Sequence, residues 1–129
     1  EQPRQNESQV IMSVKEAMRA PLEVRNMFLI GVPPKDLKPI GKCVLTNTLV
    51  LYDCKLEKVP SFLKYYQQLE VLVLEKNAIQ EVPDWVYELP ALKEIHLGDN
   101  AFTESQKSAI EAAFKQKSVM VNFGGFMDN

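Results

Sequence analysis

The side chains best equipped for chemistry gather around one position. His96 is the sole histidine of the 129-residue chain, and Glu94 stands two places before it, where an extended backbone puts both on one face. Glu75 and Asp99 lie close by in the pattern described below. An imidazole beside carboxylates is raw material for general acid–base work or for holding a divalent metal. The rest of such a site is missing from the sequence: no second histidine, no H-E-x-x-H pair, no glycine-rich phosphate loop and no nucleophile elbow. A lone histidine on an exposed strand reads as a solvated polar contact. No catalytic residue, metal ligand or cofactor is therefore assigned.

The elements that must position these residues repeat. Leu69-Glu70-Val71-Leu72-Val73-Leu74-Glu75-Lys76-Asn77-Ala78-Ile79 returns one period later as the run from Leu92 to Phe102, and stands one equal period after the run from Thr46 to Leu56. Apolar pairs hold the fourth and sixth positions of each copy: Leu49 and Leu51, Leu72 and Leu74, Ile95 and Leu97. The ninth position is Cys54, Asn77 or Asn100, and the eleventh is Leu56, Ile79 or Phe102. Two inward side chains per short strand cannot be covered by that strand alone, so each copy depends on its neighbours.

The pattern L-x-x-L-x-L-x-x-(N/C)-x-L resembles the leucine-rich repeat, and the resemblance spans three copies in one frame. It implies an α/β architecture, a right-handed solenoid whose short parallel strands line a concave sheet. The brevity of the chain and its proline-stacked returns resemble bacterial members of that family. At the ninth position, where the chain leaves the strand, an asparagine side chain can pair with backbone groups that a sharp turn leaves unsatisfied.

Composition narrows the classes of partner. A net charge of −2 and a sequence pI near 5.5 give no electrostatic reason for nucleic acid, and no apolar run is long enough to insert into a membrane. The chain starts at Glu1 with a polar stretch over 1–9, read as a flexible leader. This start suits an exported protein, periplasmic, surface-anchored or secreted, while a cytoplasmic place stays open. Cys43 and Cys54 read as buried small hydrophobes rather than a disulfide.

One domain is expected over 10–123, with a loose tail over 124–129. Ser13 and Glu16 have the form of a capping box, opening a cap helix over 13–20 that ends before Pro21. Repeats begin near 24, 46, 69 and 92, the first degenerate, with Val24, Met27 and Leu29 in its core positions and Val32 in place of the ladder residue. Convex returns start at Pro60 and Pro83. The C-terminal cap covers 103–123: a second capping box at Thr103 and Gln106, a helix, then Val119, Val121 and Phe123 inward on a fifth strand.

Function then falls to the strand residues that point away from the core. The fifth position aligns Phe28, Val50, Val73 and His96, the seventh Ile30, Tyr52, Glu75 and Gly98, and Glu94 joins from the third. An apolar stripe of this kind facing water marks a binding surface, and the resemblance implies recognition of a protein partner there. The expected contacts are Phe28, Val50, Tyr52, Val73, Glu75, Glu94 and His96. Against this stands a blander reading, in which the chain's own ends fold over that face. Other readings are a surface glycan or lipoprotein ligand, with Tyr52 or Trp85 as an aromatic platform, and weak self-association as a structural piece. Phe62, Tyr65 and Trp85 on the convex side form a second candidate surface.

Overall fold

The structure, a computed structural model, describes residues 9–125. Its centre is a single parallel sheet of six strands in chain order: β1 (Val10–Ile11), β2 (Asn26–Ile30), β3 (Thr48–Tyr52), β4 (Val71–Val73), β5 (Glu94–His96) and β6 (Met120–Asn122). The register places Met27, Leu49, Leu72, Ile95 and Val121 side by side. These positions recur almost evenly along the chain until the last step, where an inserted helix lengthens the spacing. Alternation then sends Leu29, Leu51, Leu74 and Leu97 inward as well, and all of them are buried. The strands stack because each can cover its own inner pair only by lying on the next.

Six strands, not five, is the first departure from expectation. Val10 and Ile11 pair with Asn26 and Met27 and cover the outer edge of β2. So short a strand cannot show an alternating pattern in sequence. The cap helix is also shorter than 13–20: α1 spans Val14–Ala17, followed by a turn and a 3-10 segment Pro21–Glu23. Ser13 Oγ accepts the Glu16 amide at 3.1 Å. The Glu16 carboxylate, however, accepts the amide of Met12, at 3.4 Å, rather than that of Ser13. Ala17 is buried beneath this cap, with Val14 and Met18 partly covered on the same core. The leader lies outside the described residues except for Gln9, as does the tail beyond Gly125.

The returns are short helical turns: α2 (Pro34–Leu37), a 3-10 turn Ser61–Tyr65 and α3 (Asp84–Tyr87). Pro60 and Pro83 sit just before the last two with φ −57° and −62°, values their rings fix in advance. Leu37, Ile40, Leu63, Tyr66 and Val86 point in from these turns. The Tyr66 hydroxyl donates to the Ile40 carbonyl at 2.5 Å, tying one return to the previous one. After β5, α4 (Glu104–Gln116) opens on a complete capping box between Thr103 and Gln106 and lays Ile110 and Phe114 over the last repeat. Val119 is buried, and Val121 and Phe123 are partly buried against the same core.

Candidate functional site: the concave face

Where each repeat leaves its strand, the backbone turns through the left-handed region. Gly31, Asp53, Lys76 and Asp99, the eighth residues, have φ of 72°, 54°, 59° and 53°. The turn strands amides and carbonyls that the asparagines collect. Asn77 Oδ1 accepts from the amides of Cys54 at 2.9 Å and Leu56 at 3.1 Å. Its Nδ2 is within donating distance of the carbonyls of Leu51, Leu74 and Glu75 at 3.0–3.1 Å. Asn100 repeats the arrangement one step on, taking the Ile79 amide at 2.9 Å and donating to Leu74 and Leu97. In the first full repeat the Cys54 thiol takes over, 3.5 Å from the Tyr52 carbonyl and 3.6 Å from that of Leu29. These side chains fix the rim of the sheet from which the candidate residues project.

The expected open stripe is not open. Val50 and Val73 are 1% and 0% exposed, Glu75 is 2% and His96 4%. These four are corrected from exposed contacts to covered ones; Phe28, Tyr52 and Glu94 are half-buried. Ile30, at 50% exposure, is an apolar side chain of this face open to solvent, matched at the far end by Met120, at 52%, beside Glu94 in the register. Ile30 lies beside Tyr52 in the sheet register, and the Lys76 ammonium sits 5.9 Å from the Tyr52 ring centre, within reach of a cation–π contact.

His96 is likewise not a solvated contact. Its Nε2 lies 2.5 Å from Glu94 Oε2, and its Nδ1 lies 3.9 Å from Glu75 Oε2. Of the four residues that sequence spacing brought together, His96 and Glu75, both buried, and half-buried Glu94 meet in the sheet face, while Asp99 is exposed at the turn after β5. Among the described residues no group of three or more histidine, cysteine, aspartate or glutamate side chains is placed to hold a metal.

Gly98 is the residue that sequence reasoning passed over. It occupies the seventh position, where Ile30, Tyr52 and Glu75 carry side chains. A Cβ built on it would collide with the Gly124 carbonyl and lie 3.0 Å from that of Phe123. The chain leaving β6 thus crosses the concave side of β5, turned there by the Gly124 amide donating to Asn122 Oδ1 at 2.6 Å. Phe123 is anchored edge-on to Phe102, with ring centres 6.0 Å apart. The signal in sequence was the glycine itself, a missing side chain in a column of large ones.

On the convex side, Phe62 and Trp85 pack against the core while Tyr65 stays 62% exposed. Phe62 tilts against Tyr66 with ring centres 6.2 Å apart.

The chain matches no protein-family model. It is similar to two plant proteins of Arabidopsis thaliana. Receptor-like protein 27 is 39% identical over 97 residues, 74% of this chain and 12% of that protein. Receptor-like protein 18 is 32% identical over 91 residues, 66% of this chain and 11% of that protein. The chain thus spans about a tenth of the length of the curated relatives it matches. Among solved structures, a leucine-rich repeat protein of Leptospira interrogans superposes with a TM-score of 0.58 at 20% identity, over 78% of this chain and 24% of that one. The fold is a leucine-rich repeat solenoid. These sequence relatives are plant proteins while this structural neighbour is bacterial, so the bacterial character expected from the brevity of the chain and its proline-stacked returns is not confirmed. No helix among the described residues of the solenoid is long and apolar enough to cross a membrane.

Proposed function

We propose that this solenoid is a non-catalytic protein-recognition module, one unit over 10–123, acting through the part of its concave face nearer the N-terminus. The observation that carries the reading is the pairing of exposed Ile30 with half-buried Tyr52 on adjoining strands. An aliphatic and an aromatic side chain, with Lys76 beside them, form the small apolar centre and polar rim of a recognition surface. Phe28 extends it along the same strand, and Glu94, three strands away on β5, lies outside it. Val50, Val73, Glu75 and His96 then support the surface from beneath rather than touch the partner. The names of the Arabidopsis relatives support a receptor-type role, and with it exposure outside the cell.

The test uses Ile30→Glu and Tyr52→Ala, two changes at residues that the core does not need. Affinity capture of extracellular proteins by the wild-type chain is expected to recover a partner that both variants lose, with melting temperatures unchanged. Retention of the same partner by both variants would rule this surface out.

A further inference from the structure

A groove of about 680 Å³ opens between two return loops, away from the concave sheet, lined by Pro34, Leu37 and Lys38 on one side and by the run from Lys55 to Phe62 on the other. Leu37, Leu56 and Val59 form a buried floor, and Phe62 is half-buried at one end. The rim is basic. Lys38, Lys55 and Lys58 are exposed, and among the described residues no carboxylate pairs with any of them.

The repeat supplies its own control. One step along, Ile79, Val82, Pro83 and Trp85 stand where Leu56, Val59, Pro60 and Phe62 stand here, so the floor belongs to the fold. The rim does not repeat: Ala78 replaces Lys55, Glu81 replaces Lys58, and Ser61 follows Lys38. Packing therefore does not require lysine at the places of Lys38 and Lys58, whereas Lys55 stands at a left-handed turn, φ 55°, that Ala78 does not share. The geometry points to a docking groove for an acidic peptide segment, with an aliphatic side chain on the apolar floor and flanking carboxylates on the three ammonium groups.

Two features favour a peptide over an acyl chain. The floor is already closed by packed side chains, which leaves a shallow trough rather than a tunnel. The backbone of Glu57, Lys58 and Val59 also makes no hydrogen bond to another described residue, which leaves main-chain groups along the groove to pair with an extended partner. The groove is separate from the Ile30 and Tyr52 surface, so either assignment can fail alone.

The probe is a fluorescent peptide of sequence Asp-Glu-Leu-Glu-Asp, read by anisotropy on the intact chain. Binding is expected to weaken as salt is raised, and to fall about tenfold or more, roughly 1.4 kcal/mol, in K55A/K58E. Those changes install the residues of the next repeat. Because Lys55 has a left-handed φ of 55° that Ala78 does not share, K58E alone is measured beside the pair, and it should keep the melting temperature while weakening binding. The amide analogue Asn-Gln-Leu-Gln-Asn and a variant with Ala for the central Leu should each bind less well. Amide shifts on titration should centre on Leu56, Val59 and Phe62. No binding by the wild type, equal binding by K55A/K58E, or shifts centred on Tyr52 would each overturn the proposal. So would preferential binding to phosphatidylserine vesicles over the peptide.

Discussion

Single side chains hold this protein together where its backbone is least able to satisfy itself. Asn77 serves five backbone groups across two repeats. Replacing it by Ala should leave some of them buried without partners, at a cost of about 1–3 kcal/mol. A thermal melt measures this, and an unchanged midpoint would mean that water substitutes for the amide. The role of the ninth position could be read from sequence, since Asn and Cys recur there and little else explains a polar residue in an apolar frame. The left-handed turn just before it could not. Gly31 is of the type that favours such a backbone and Asp53 and Asp99 of a type that tolerates it, but Lys76 is neither, so no one residue type marks the eighth position.

Among the elements, the stacked strands were the most legible. Leu49, Leu72 and Ile95 align in neighbouring strands because the period that repeats their residue type also repeats their geometry. The ends were less so. β1 is too short to show a pattern, and the crossing of β5 by the chain after β6 brings together Gly98 and Gly124, on either side of the whole of α4. Gly98→Ala tests that crossing. Its new methyl group must displace the Gly124 carbonyl, so the C-terminal strand should loosen while the other repeats hold. Hydrogen exchange is expected to rise at the Leu97 amide, which donates to the Asn122 carbonyl at 2.8 Å, and to stay unchanged at Asn47 and Val71. Uniform protection in the variant would show that β6 reaches β5 without needing the missing side chain.

At the scale of the molecule, burial governs how stability responds to pH. Cys43 is fully covered, and desolvation pushes its thiol up to about 11 from an ordinary 9.0. Tyr66, equally buried, is held well above its ordinary 10.0 by the same cause. Both groups are neutral when protonated, so in the folded chain they keep protons that the unfolded chain releases. Their contribution is complete below about pH 9 and is lost as pH rises toward and through the folded values. For Cys43 alone the difference is worth about 3 kcal/mol. Urea midpoints should therefore fall between about pH 8 and about pH 11, and less steeply in Cys43→Ala. Parallel slopes would remove the thiol from the account.

The sequence by itself determined the stacked architecture, the identity of the core and the register of the strands, because each repeat carries the same local instructions and its neighbours read them in the same frame. Tertiary structure alone decided which concave residues meet solvent. Alternation says only that Val50, Val73, Glu75 and His96 point away from the core. Whether water lies beyond them depends on residues distant in sequence, and His96 between Glu94 and Glu75, nearly sealed from solvent, shows how far that depends on the whole chain.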